Sequence, residues 1–466
     1  MNTKTSIPTD ALKQFRMRVK GDVVLPQSTN YDETRTLHNL VHDKRPAIIV
    51  QASDASDVAR SIEFARAQGL EIAVRSGGHS FPGHSMNNDG LVIDISRMTN
   101  IQIDPQQRTA WAQPGALAGD FANAAQEYGL AVPFGDAESV GLGGITLGGG
   151  IGFLVRQHGL AIDHVKAVEV VTANGQIVTA TATEHPDLFW ALRGGGGNFG
   201  VVTGFQYDLV EVGTILGGAL LLPATKEVLE GYVRVSEQAP EELTTISFVL
   251  RAPPMPFVPE ESVGSMVLAI FPCYTGSIEE GQKALDPFRA LATPVADVTM
   301  PMPYASIYDL TREATQPKRE VVRSGFYQQF DGETMERILE FVAAAPTPFC
   351  AAQLRPLGGQ MAKVDRDATA FSHRDANYLI TVIAAGETAQ EDGSVSDWAL
   401  RFWDTIKDRR DGAYSNFLED EGEARIRESY AAETYERLAE IKRRYDPENV
   451  FAGNQNIAPK AMSAAA

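Results

Sequence analysis

Cysteine is nearly absent: Cys273 and Cys350 are the only two in 466 residues. Two thiols cannot build a disulfide framework, and neither has neighbours at metal-ligand spacing, so both are expected to be buried free thiols and no metal is expected. Long apolar runs are missing as well. Nothing approaches the roughly 18 residues of a spanning helix, and the opening MNTKTSIPTDALKQFRMRVKGD has no apolar leader core, so the reading is a soluble, cytoplasmic chain without a membrane partner. Positive charge is scarce: 41 Lys and Arg stand against 60 Asp and Glu, a formal charge of −19 that repels phosphate backbones and argues against a nucleic-acid partner. What is present is 44% hydrophobic residues. Over a length of two or three domains at roughly 150 residues each, that content buries real cores.

The first half alternates short apolar strands with helical stretches. Residues 47–50 read as a buried strand, followed by a helix capped by Asp54 or Ser56 and ended by Gly69. Strands are expected at 72–75, 91–95 and 101–103, a second helix at 117–128 stopped by Gly129, and a hairpin of residues 165–172 and 176–181 around Asn174-Gly175. Composition shifts near residue 212. Glycine clusters dominate before it, whereas 213–410 holds proline-rich loops between strand-like runs such as 265–271 and 378–384. From residue 411 the pattern changes again to GAYSNF, an acidic patch and one long helix over about 423–445, closed by Asp446-Pro447 and followed by NVFAGNQNIAP. The fold class is α+β, with expected units 1–212 (core about 42–212), 213–410 and a return at 411–466.

The glycines need a reason. Residues 141–152 read GLGGITLGGGIG, residues 194–197 are four glycines, and Gly77-Gly78 sits in RSGGHS. They read either as tight turns or as backbone laid against a pyrophosphate, where a Cβ would hold the amides away. A dinucleotide fingerprint does not fit, because Gly141 and Gly143 are followed by Thr146 at the third glycine position, and no Gly-Lys-Ser/Thr follows either cluster.

Four segments occur together in order: RSGGHSFPGHS (75–85), the glycine run with GFLVRQHGLAIDHV behind it, DLFWALRGGGGNFGVVT (187–203) and YDPENVFAGNQNI (445–457). Together they resemble the PCMH-type FAD-linked oxidoreductase superfamily, and within it the berberine-bridge-enzyme-like oxidases, especially short bacterial members such as the hydroxynicotine oxidases. The resemblance implies a two-part FAD-binding domain built from residues 1–212 and the tail, with an inserted α+β substrate domain whose antiparallel sheet covers the flavin. It implies cofactor contacts from Arg75, Ser76, Gly77, Gly78, His79, Ser80, Gly83 and His84, then from Val140, Gly141, Gly143, Gly144, Thr146, Gly149, Gly150 and Gly152. Further contacts are implied from Gly200, Val201, Asn454 and Asn456. His79 would be bonded to the flavin 8α-methyl group, which makes the flavin a better hydride acceptor, with His84 in a supporting role. Relatives that attach FAD twice use a cysteine four residues before the opening glycine of the second motif. Ala137 stands there, so a single covalent link is implied, along with a smaller, more enclosed substrate. Val140, just before that glycine, matches the residue that admits oxygen in relatives.

Catalysis by such an enzyme needs a C–H bond aligned with flavin N5 and a base for the alcohol or amine proton. Tyr414 in GAYSNF resembles the family's Tyr-x-Asn segment and is the expected base, with Asn416 and Asn456 orienting the ring or substrate. An ordinary phenol titrates at about 10, so this role requires stabilised phenolate. Tyr304 and Tyr327 are further candidates for the pocket, His373 and Arg355 looser ones. The leading expectation is a covalent FAD oxidase acting on an alcohol or amine carbon of a small organic molecule such as an alkaloid, with molecular oxygen as acceptor and hydrogen peroxide as product. Alternatives are a sugar or oligosaccharide oxidase of the same fold and a flavin-binding protein without turnover.

Overall fold

The computed structural model describes residues 7–312 and 315–461. A four-stranded sheet carries Asp22–Val24, Ile48–Gln51, Leu91–Asp94 and Ile72–Arg75 in that spatial order. Leu91–Asp94 runs parallel to both Ile48–Gln51 and Ile72–Arg75. Parallel strands are covered on both faces, which is why Leu91, Val92 and Ile93 form an unbroken apolar run and are all buried. The crossover helix is Ala55–Gln68. Its start is fixed by Asp54, whose side chain accepts the Asp57 N–H at 3.0 Å, and its end by Gly69 in the left-handed region at φ 63°. The helix returns the chain to Ile72–Arg75, whose carboxyl end delivers the RSGGHS loop, the edge of a parallel sheet where ligands are ordinarily met.

A five-stranded antiparallel sheet follows, in the order Ile101–Asp104, Thr109–Ala112, Val201–Asp208, Val165–Val171, Ile177–Thr181. Thr109–Ala112 was not expected from the sequence: it is short and puts Trp111 on the exposed face, so it carries little apolar signal. The second helix is Ala118–Gln126, shorter than expected, with Gly129 at φ 65° turning the chain beyond it. The Asn174-Gly175 hairpin has a wider turn than a two-residue loop. Thr172 and Gln176 still share a bond, and the Asn174 side chain closes the turn by accepting from the Thr172 hydroxyl and the Gln176 N–H.

The middle of the chain forms a nine-stranded sheet. Its continuous path runs Ala296–Asp297, Leu220–Pro223, Met266–Tyr274, Leu243–Arg251, Ala351–Pro356, Tyr378–Gly386, Arg319–Tyr327, and Thr214–Gly217 and Met300–Pro303 attach beside it. Helices Lys226–Gln238, Ile278–Arg289, Gly332–Ala343 and Asp392–Ile406 supply Tyr232, Phe288, Ile338 and Phe402 to the core on one face. Cys273 and Cys350 are both buried and free. No helix among the described residues is long and apolar enough to cross a membrane.

The return segment corrects one expectation. In place of one helix over 423–445 there are two, Glu423–Arg427 and Ala432–Tyr445. The residues between them spend their backbone groups outward. The Glu428 carbonyl accepts from the Ala413 N–H and bonds the His373 ring at 2.9 Å, while the Ala431 N–H goes to Ser372 Oγ. A continuous helix would have to give up all three contacts.

Candidate active site

A cavity of about 380 Å³ lies where the two glycine loops face the helix-free side of the nine-stranded sheet. The loops meet in van der Waals contact that only glycine permits. A Cβ on Gly77 would collide with the amide nitrogen of Gly141, and one on Gly141 with the Ser76 hydroxyl. Ser76 Oγ also donates to the Pro114 carbonyl at 2.5 Å. Of the sequence-nominated residues, Ser76, Gly77, Gly78, His79, Ser80 and His84 line the cavity from the first loop, and Val140, Gly141, Gly143 and Gly144 line it from the second. Ala137, Gly200, Val201, Asn416 and Asn454 line it too.

The remaining nominees stand behind this lining. Arg75 donates to the Thr34 carbonyl, and Gly83 packs against the His42 ring. Thr146 shares a 2.8 Å bond with the Tyr207 hydroxyl inside the core. Gly149, Gly150 and Gly152 make the turn beneath the cavity, at φ 142° and 82° for the first two. Asn456 is half-buried with Oδ1 unpartnered among the described residues.

His79 is held face to face with His38, ring centroids 3.9 Å apart, and His38 is fixed by a 2.6 Å bond between Nε2 and the Thr315 carbonyl. Burial pushes the His79 imidazole down to about 3, His38 adding to the effect and a backbone bond at Ser139 opposing it. His84 is pushed down to about 4 by burial and by Lys44. Both rings are neutral at physiological pH, so His79 presents an imidazole without a charge to repel an electrophilic carbon.

Tyr414 is buried, and its phenol oxygen accepts the Gly150 N–H at 3.0 Å and Asn416 Nδ2 at 3.1 Å. Burial raises its pKa, while the two donors and the Arg355 charge pull the other way without prevailing. Asn416 also donates to the Ile145 carbonyl at 3.3 Å and is seated against Gly148, where any side chain would strike its amide. The cavity wall is thus Asn416, with Tyr414 directly behind it.

Residues 46–181 match the family model described as FAD binding domain, and residues 413–458 the one described as berberine and berberine like. An FAD-linked oxidoreductase of Dictyostelium discoideum is 30% identical over 459 residues, covering 97% of either chain. This chain belongs to the berberine-bridge-enzyme-like FAD-linked oxidoreductases. The (R)-6-hydroxynicotine oxidase of Paenarthrobacter nicotinovorans is 29% identical across 95% of this chain and 98% of its own. The solved 6-hydroxy-D-nicotine oxidase of Arthrobacter nicotinovorans superposes with a TM-score of 0.85 at 27% identity, covering 95% of this chain and 98% of that one.

The cavity of this FAD-linked oxidoreductase fits a flat, polar-edged cofactor. Gly144 and Gly197 both line it, and a Cβ on either would meet nothing within 4 Å, so the missing side chains are space kept open in the cradle. Asn454 holds the Gly197 carbonyl at 3.2 Å while its own Oδ1 lacks a partner among the described residues, as does Ser139 Oγ beside the second loop. Such orphaned buried oxygens are what a bound group with donors would satisfy.

On the far wall the oxidoreductase places residues that the sequence reading passed over or held loosely. Arg355 lines the cavity, as do Glu320, Val322, Gln353, Thr381, Ile383 and Phe417. The signal was available as polar residues at alternate positions of apolar strands, Gln353 and Arg355 in one and Thr381 in another, but alternation alone does not say which face meets a ligand. Tyr304, Tyr327 and His373 do not line it. Tyr304 lies in a core cluster with Ile307 and Tyr308, Tyr327 donates to the Ile406 carbonyl at 3.2 Å, and His373 stacks on Phe326 with centroids 4.8 Å apart.

Proposed function

We propose that this oxidoreductase is an oxidase that carries FAD through a single covalent bond from His79 and oxidises an alcohol or amine carbon of a small organic molecule, an alkaloid or related secondary metabolite, with release of hydrogen peroxide. The observation that carries the reading is His79: a half-buried, neutral imidazole clamped by His38 in the wall of a glycine-lined cavity. Ala137 lines the same cavity and has no sulfur to form a second link. FAD, when bound, supplies the hydride acceptor and the reaction with oxygen. The chain supplies the rest. Its glycine loops hold the cofactor, Asn416 orients the substrate, and Tyr414 receives the substrate proton with Gly150 and Asn416 stabilising its oxygen. Val140 leaves a path for oxygen. Residues 1–212 with 411–466 form the cofactor half and residues 213–410 the substrate half.

The test is acid precipitation of the purified protein beside His79→Ala. Yellow colour is expected to stay in the wild-type pellet and to leave with the supernatant of the variant. Free release from the wild type overturns the covalent link. Bound flavin that no panel of alcohols and amines reduces under anaerobic conditions overturns the oxidase reading.

A further inference from the structure

The substrate-side wall holds two polar groups with nothing to do. Arg355 is fully engaged: Nε donates to Gln353 Oε1 at 2.8 Å, Nη2 to Asp136 Oδ2 at 2.8 Å and Nη1 to the Ile151 carbonyl at 3.2 Å. Glu320 and Thr381 are different. Thr381 is 2% exposed, yet its hydroxyl finds no partner among the described residues. Glu320 is 8% exposed, and among the described residues its carboxyl takes part in no hydrogen bond or ion pair, although the residue lines the cavity. Its backbone is pinned on both sides by one side chain. The N–H donates to Asn39 Oδ1 at 3.1 Å and the carbonyl accepts from Asn39 Nδ2 at 3.0 Å, which holds the strand and keeps the carboxyl on the cavity face.

The strand register sets the distance between the two groups. Glu320 pairs with Ala385, Val322 with Ile383 and Ser324 with Thr381. Glu320 and Thr381 are therefore four positions apart along neighbouring strands, roughly 14 Å from backbone to backbone. Val322 and Ile383 form the apolar strip between them. The carboxyl of this largely buried residue opens onto the cavity, where a cation brought by a ligand stabilises it more than a neutral hydroxyl does. Burial already lifts the Glu320 carboxyl to about 7, with Glu419 acting in the same direction and Lys318 against it.

We propose that Glu320 and Thr381 are the two-point recognition pair of the substrate site: Glu320 takes a protonated amine, Thr381 a neutral hydrogen-bonding group, and the apolar body between them lies on Val322 and Ile383. The proposal rests on the reading of this cavity as the substrate site of a flavin oxidase. It selects amines over carbohydrates, whose hydroxyls would bring no charge to Glu320.

The test uses the flavin-loaded enzyme and two probes of one shape, tryptamine and its neutral counterpart tryptophol, with cellobiose as the carbohydrate arm. Binding is read as perturbation of the visible flavin spectrum and as a thermal shift. Tryptamine is expected to bind about tenfold more tightly than tryptophol, and Glu320→Gln is expected to abolish that preference at unchanged flavin content. Thr381→Val is expected to weaken both probes alike. Equal affinity for the two probes in the wild type, no response to either, a response to cellobiose alone, or a preference that survives in Glu320→Gln overturns the proposal. The wild-type preference is decisive even where Glu320→Gln fails to fold. Absence of flavin from the purified wild type is a separate outcome, which defeats the oxidase reading on which the proposal rests.

Discussion

At the scale of single residues, Tyr414 and Asn416 form one device. The phenol oxygen receives two N–H donors, an arrangement that favours phenolate, inside a site whose burial favours phenol, and burial wins. The sign of the pH dependence follows. A base with a raised pKa is mostly protonated near neutrality, so turnover that depends on it climbs with pH on the alkaline side. Tyr414→Phe is expected to retain flavin, to lower kcat by about 10²-fold and to lose that alkaline climb. Steady-state rates across pH check this, and an unchanged profile removes Tyr414 from proton transfer. The Tyr-x-Asn pair was legible because both residues sit in one short string. Glu320 was not, because its meaning comes from strands that the chain joins only after folding: nothing within REVVRSGFY says that residue 320 shares a cavity wall with Ile383 on the neighbouring strand.

At the scale of elements, the glycine loops separate two uses of the same residue. Gly77 and Gly141 are required by close approach of backbone to backbone, so a methyl group on either forces the loops apart. Gly144 is different. It sits in the helix Leu142–Gly148 with open space where its Cβ would be. Gly144→Ala is expected to be as stable as the wild type or up to about 1 kcal/mol more stable when flavin-free, since alanine is the better helix former, and yet to bind FAD more weakly. Thermal unfolding of the flavin-free protein beside flavin content checks both halves, and full flavin content would show that the cradle has room to spare. The sequence shows that glycines cluster here but not which of them touch protein and which touch ligand. The same limit explains the helix mistaken over 423–445. Its apolar spacing is helical throughout, and the break comes from Ala413, His373 and Ser372, distant groups that claim the backbone of 428–431.

At the scale of the whole molecule, one buried ion pair joins the tail to the glycine-rich half. Lys442 and Asp446 are both fully buried and 2.6 Å apart, and the ammonium also donates to the Asn198 carbonyl at 2.8 Å and the Phe451 carbonyl at 3.0 Å. Asp446 in turn accepts from the Val450 and Phe451 N–H groups. Removing the cation leaves a buried carboxylate uncompensated, so Lys442→Met is expected to cost about 3–5 kcal/mol and to loosen the cofactor, since Asn198 and Asn454 line the cavity on either side of this knot. Urea unfolding with flavin release followed in parallel checks both effects, and loss of stability with flavin retained would confine the knot to a structural role. The order of the four motifs made this closure legible in outline, since a tail so patterned had to return to something. The buried lysine was not, because its spacing to Asp446 is that of any exposed i,i+4 pair on a helix surface.

The cavity takes His79, Arg355 and Asn454 from three segments far apart in the chain. During synthesis the glycine loops emerge from the ribosome long before the tail that closes them, and a nascent or truncated chain has no finished place to hold FAD. Flavin uptake is therefore expected only of molecules translated past Asn454 and folded so that all three segments meet.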